Sequence, residues 1–148
     1  MVANRLKLAD RLDRILVYKK DLEGFARISR EDFRANRERQ YAVLHAMQSA
    51  IEAAIETASH IVSADRLGAP PDHAGLFDLL ESHKVLSSDL AARMRGMARF
   101  RNRIVHLYWS VDLELVYEYL QTRLGDFDEY ARAIRTYLDR PAAAGGAS

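Results

Sequence analysis

The feature that most constrains this chain is a run of apolar residues at helical spacing near its middle. Tyr41, Leu44, Met47, Ile51, Ala54, Ile55, Ala58 and Val62 recur every three or four positions, which puts them on one face of an α-helix. Such a face must be covered by other apolar faces, and the rest of the sequence supplies them. Leu8, Leu12, Ile15, Leu22 and Phe25 predict a helix from about Asn4 to Ala26. Ser29, with Asp32 three residues on, is a plausible N-cap for the central helix, which is expected to end near Ala64. A helix from Arg30 to Ala64 is long for a globular domain, so a kink or a weak start is an open alternative.

Leu67-Gly68-Ala69-Pro70-Pro71 is the clearest break. Gly68 suits a helix C-terminus, and two prolines cannot continue one. Asp72 caps a short helix from Ala74 to about Ser82, and Ser87 or Ser88 opens a fourth containing Leu90, Met94, Met97 and Phe100. Asp112 caps a fifth, from Leu115 to Leu138, whose middle Gly125 weakens. No strand alternation or hairpin dipeptide competes with this pattern. The expectation is an all-α antiparallel bundle of about five helices, forming one domain over residues 1–140. Residues 141–148 are rich in small side chains and are expected to be a disordered tail.

The 148 residues are 49% apolar and 29% charged, which fits a globular domain able to bury its own core. No Cys is present, which excludes disulfides, thiolate catalysis and cysteine-ligated metals and fits the cytoplasm. No signal-peptide pattern and no membrane-spanning apolar run occurs. A net charge of +1 argues for no partner by itself; only the placement of the charges can do that.

That placement singles out residues 99–109. Arg99-Phe100-Arg101-Asn102-Arg103-Ile104-Val105-His106-Leu107-Tyr108-Trp109 holds the only Trp and the densest Arg cluster, and no Asp or Glu lies between Leu90 and Val111. Arg and Asn can hold a phosphate, His can move a proton near neutral pH, and Tyr carries a nucleophilic hydroxyl. A lone His in a helical protein is usually structural, and any single Arg usually lies on a solvated face. Here they occur together, with no acid in the segment to offset Arg93, Arg95, Arg99 and Arg103, so the cluster can follow a nucleic-acid backbone. Asn102 and His106 share a helix face, whereas Arg101 and His106 stand about 140° apart on a regular helix. Both can reach one substrate atom only if the helix ends between them or a second chain completes the site. His45, His60, His73 and His83 have no metal-site spacing. Glu52 and Glu56, an i,i+4 pair, are expected to be solvated.

Arg101-Asn102-Arg103-Ile104-Val105-His106-Leu107-Tyr108 resembles the Arg-x4-His-x-Tyr motif of HepT-type toxins in the HEPN superfamily, small all-helical prokaryotic ribonucleases. The likeness extends to Leu44–Ile55 and His60–Val62, to Phe77–Leu86, to Met97–Phe100 and to Val111–Tyr117, and covers roughly Leu6 to Leu138. The resemblance implies a homodimer whose two motifs face one cleft, and a metal- and cofactor-independent endoribonuclease acting on tRNA or mRNA. In it, His106 is the general acid or base, Arg101 binds the phosphate, and Asn102 orients His106 or a phosphate oxygen. Arg95, Arg99 and Arg103 are the expected RNA contacts. It also implies an MntA-like minimal nucleotidyltransferase antitoxin that attaches AMP to Tyr108. The alternative is a non-catalytic helical dimer that binds a nucleotidyltransferase; the presence of Arg101, Asn102 and His106 together favours the enzyme.

Overall fold

A computed structural model describes residues 4–106 and 112–140. These residues form helices and their connections, with no strand among them. The helices are α1 (Arg5–Phe25), α2 (Arg30–Ala35), α3 (Arg37–Ala64), α4 (His73–Ser82), α5 (Ser88–His106), α6 (Leu113–Thr122) and α7 (Gly125–Leu138). The expected tail at 141–148 lies outside the described residues.

The all-α expectation holds, but among the described residues seven helices take the place of about five. Two of the expected helices are each divided. The long central one breaks at Asn36, whose backbone is extended and whose Oδ1 accepts from the Arg39 amide at 2.9 Å. A capping Asn competes with continued helix by bonding the backbone locally. Gln40 then donates to the carbonyls of Phe33 and Arg34 at 2.8 and 3.0 Å, satisfying the end of α2. Ser29 caps α2 as expected, accepting from Asp32 N at 3.1 Å. The last helix divides between Thr122 and Gly125, next to the residue of lowest helix propensity in that stretch.

The central stripe is the axis of the core. On α3, Leu44, Met47, Ile51, Ala54, Ile55, Ala58 and Val62 are all buried. Tyr41 is the exception: it is exposed, and Arg37 donates to its hydroxyl at 2.8 Å. α1 packs along α3, α4 and α5 pack on each other and on α3, and α7 packs on α1 and α5. One buried cluster draws residues from all seven helices, from Leu8 to Leu138. Inside it, the Tyr130 hydroxyl donates to the Ala54 carbonyl at 2.9 Å, and burial raises its pKa far above the ordinary phenol value.

α3 ends differently from the sequence expectation. The left-handed position is Arg66 (φ 54°), not Gly68, and the Leu67 amide closes the turn on the Val62 carbonyl at 2.9 Å. Gly68 (φ 147°) serves another purpose: a Cβ there would stand 2.9 Å from the Leu79 side chain, so its absence lets α4 approach the end of α3.

Candidate functional site

α5 carries the segment that the sequence singles out. The Ser87 hydroxyl accepts from the Leu90 amide at 3.2 Å at its start, and Leu90, Ala91, Met94, Met97, Ala98, Phe100 and Ile104 are buried against the bundle. That apolar face fixes the rotation of the helix, and so the direction of each arginine. The Phe100 ring stacks on Tyr119, with centroids 4.2 Å apart, which ties the motif end of α5 to α6.

Three arginines turn to three different neighbouring helices. Arg93 donates to Asp126 and Glu129 of α7. Arg95 pairs with Asp78 at 3.0 Å and Glu81 at 2.8 Å on α4. Arg101 reaches α3, where its Nη2 donates to Glu52 Oε1 at 3.0 Å. The lack of acids between Leu90 and Val111 therefore does not leave the positive charge uncompensated, as the sequence had suggested. The compensating acids come from other helices. The Arg95 guanidinium holds the Glu81 carboxyl below its ordinary range, and hydrogen bonds to Asp126 and Glu129 raise Arg93. As an RNA contact, Arg95 is thus already engaged.

Arg99 and Arg103 differ. Both are exposed, and neither has a carboxylate partner among the described residues. Asn102 is exposed too, and its Oδ1 accepts from Arg101 Nη1 at 3.3 Å. α5 runs without interruption to His106. Positions 99, 102, 103 and 106 therefore fall on one face of the helix, while position 101 is turned about 140° from position 106. The helix end that could have reconciled Arg101 with His106 does not fall between them. The side chain of His106, and all of Tyr108, lie outside the described residues.

The structure brings Glu52 to this site, where the sequence reading had a solvated carboxylate. Gln48, one turn earlier on α3, donates to the same Glu52 Oε1 at 3.2 Å. Gln48 and Glu52 form an i,i+4 polar pair on the outer face of α3; nothing in the local sequence named Arg101 as the partner. Glu56 also has a basic neighbour, Arg11 at 3.8 Å.

Two histidines elsewhere make scaffold contacts. His60 Nε2 accepts from the Asn4 amide at 3.1 Å, and the His83 ring bonds the Leu67 carbonyl at 3.1 Å. His45 is exposed on α3. Among the described residues no three His, Asp or Glu side chains are grouped to hold a metal ion, and no helix there is long and apolar enough to cross a membrane.

Comparison with known proteins places this geometry. A family model described as ribonuclease HepT-like matches residues 15–134. The chain is 30% identical over 128 residues to a tRNA nuclease HepT of Aphanizomenon flos-aquae, covering 86% of this chain and 87% of that protein. It is 30% identical over 96 residues to an mRNA nuclease HepT of Shewanella oneidensis, covering 65% and 72%. Among solved structures, it resembles a tri-AMPylated Shewanella oneidensis HEPN toxin in complex with MNT antitoxin. The TM-score is 0.81 at 25% identity, with 90% of this chain and 98% of that one covered.

Proposed function

The chain belongs to the HepT-like ribonuclease family, and on that premise we propose that it is the RNA-cleaving toxin of a toxin–antitoxin pair, a metal-independent endoribonuclease. The observation that carries the reading is the motif itself: Arg101, Asn102 and His106 all stand on one unbroken α5, inside the stretch matched by the family model. Named relatives act on tRNA and on mRNA, so RNA is the substrate class.

The chemistry needs no external nucleophile. The RNA 2′-oxygen gives up its proton, bonds to the adjacent phosphorus and expels the 5′-oxygen, which takes up a proton. The products are a cyclic phosphate and a 5′-hydroxyl. His106 supplies one of the two proton transfers. Arg101 binds the phosphate and offsets the charge that grows on its oxygens, and Asn102 orients His106 or a phosphate oxygen. Arg99 and Arg103 hold the flanking backbone. The wide angle between positions 101 and 106 supports a homodimer, in which a second chain brings its own motif to the same cleft.

A nucleotidyltransferase of the MntA type is the antitoxin in this reading, supported by the solved tri-AMPylated HEPN toxin in complex with MNT antitoxin. Attack of the Tyr108 hydroxyl on the α-phosphorus of ATP forms a phosphodiester and releases pyrophosphate. The added AMP then brings an anion into the cleft meant for RNA phosphate. Both partners act in the cytoplasm.

The test is incubation of the purified chain with tRNA and with mRNA, with and without EDTA. Cleavage that persists in EDTA and leaves a cyclic phosphate is expected. No cleavage of any RNA would overturn the enzyme reading in favour of a silent dimer, and loss on chelation would overturn metal independence. Mass spectrometry after reaction with the cognate nucleotidyltransferase and ATP should find an AMP-sized increment on Tyr108, whereas inhibition with Tyr108 unmodified would refute that site.

A further inference from the structure

We infer that Glu52 is a positioning residue of the active site: held by Gln48, it fixes the Arg101 guanidinium across the α3–α5 contact with two N–H groups kept for the scissile phosphate. The inference rests on the reading of Arg101 as the phosphate-binding group and adds a residue outside the motif.

The geometry is a chain of three side chains. Gln48 Nε2 donates to Glu52 Oε1 at 3.2 Å, and the same oxygen accepts from Arg101 Nη2 at 3.0 Å. Gln48 and Glu52 lie one turn apart on α3, whose other side is packed into the core, so the carboxylate stands on a rigid support. The pair is partly shielded, with side-chain exposures of 21% for Arg101 and 37% for Glu52. Arg101 Nε is buried without a partner among the described residues, so that edge of the guanidinium faces protein and is closed to substrate.

Counting donors shows what remains. A guanidinium has five N–H groups. Nε–H is buried, one on Nη2 goes to Glu52, and one on Nη1 goes to Asn102 Oδ1. Two are left, one on each terminal nitrogen, available to phosphate oxygens. Arg93 and Arg95 each meet two carboxylates; Arg101 meets Glu52 alone. A free Arg side chain has many rotamers to lose on ordering. Pre-ordering that chain matters most in the transition state, where a displacement of about 1 Å can cost about 100-fold in rate. The carboxylate has an opposing effect, since its charge lies close to the incoming phosphate. Glu52 thus acts through orientation and slightly against affinity, and the two effects separate on substitution.

The experiment compares the full-length wild type with Glu52→Ala and Glu52→Gln on an RNA that the wild type cleaves. It also follows the Arg101 Nε–H resonance by NMR, assigned by its loss in Arg101→Lys. Glu52→Ala should lower kcat about 10- to 100-fold with KM changed less than about threefold. Glu52→Gln keeps an accepting oxygen and should restore kcat to within about threefold, with KM equal to or below that of the wild type. The Arg101 resonance should shift or broaden in Glu52→Ala and persist in Glu52→Gln. An unchanged kcat in Glu52→Ala, or a Glu52→Gln variant as slow as Glu52→Ala, would overturn the inference. Should Glu52→Ala fail to fold, Glu52→Gln still decides, because a kcat loss of 10-fold or more in a folded Glu52→Gln chain overturns it. Should the wild type cleave no RNA, the nuclease reading falls by itself, and the resonance decides the Arg101–Glu52 coupling: no change in Glu52→Ala refutes it.

Discussion

The two halves of α5 carry two and three arginines and use them differently. In the first half, Arg93 and Arg95 are each clasped by two carboxylates from α7 and α4. In the second half, Arg101 has one carboxylate, while Arg99 and Arg103 are exposed with none among the described residues. The first half fastens the helix to the bundle; in the second, Arg99 and Arg103 present positive charge to solvent. The number of carboxylates that other helices bring to an arginine, rather than charge density along the sequence, distinguishes the two halves.

The largest expected contrast is between Arg101 and Arg93. Arg101→Ala should lower RNA cleavage by about 100- to 1,000-fold, the usual loss when a donor to a developing oxyanion is removed, and circular dichroism should show the helices retained. Arg93→Ala should do the reverse. It leaves Asp126, whose side chain is 8% exposed, as a buried carboxylate without its cation. A loss of about 2–3 kcal/mol is expected in urea unfolding, with cleavage per folded molecule within about twofold of wild type. If Arg93→Ala abolished cleavage in a folded chain, the division of α5 would be broken.

The same contrast shows how much was legible. Helix type could be read wherever the apolar spacing was unambiguous, as on α3, because burial on one face dictates both the spacing and the structure. The breaks were harder: at Asn36 a capping side chain competes with helix continuation by only about 1 kcal/mol, after Thr122 no capping side chain marks the new start at Leu124, and the periodicity runs on across both gaps. That Arg101 and Asn102 lie together on one helix was legible because they are adjacent in sequence. Glu52 was not, because it lies 49 positions from Arg101. The state of Arg95 was misread for the same reason: Asp78 and Glu81 belong to another helix.

Arg99 and Arg103 sharpen the comparison at a smaller scale. In the proposed function each is a point of positive charge for the RNA backbone, so Arg99→Gln and Arg103→Gln should each weaken binding a few-fold. Each should also lower the slope of log affinity against log salt by about 0.7 for single-stranded RNA. Arg95→Gln should leave that slope unchanged, because its charge is spent on α4. Filter binding or fluorescence anisotropy at three salt concentrations measures all three, and equal slopes for Arg95→Gln and Arg99→Gln would erase the distinction between the halves.

The smallest effect expected lies away from α5, at the far end of α3, and asks whether built-in polar contacts there respond to pH as structure rather than as chemistry. His60 Nε2 accepts from the Asn4 amide at 3.1 Å, holding the start of α1 to α3. An accepting Nε2 must be unprotonated. Burial, followed by the charges of Arg11 and Lys7, lowers the His60 pKa below its ordinary value, with Asp65 opposing. The unfolded chain therefore takes up this proton first as the pH falls. The His60 contribution is complete above the ordinary imidazole range, declines as the pH falls through that range, and levels off below the folded value. Urea unfolding at pH 7.5 and pH 5.5 should show the wild type losing more stability than His60→Gln, since the Gln oxygen accepts from Asn4 at either pH. The difference between the two proteins isolates His60 from every other titrating group, and equal losses would show that this contact does not titrate with folding.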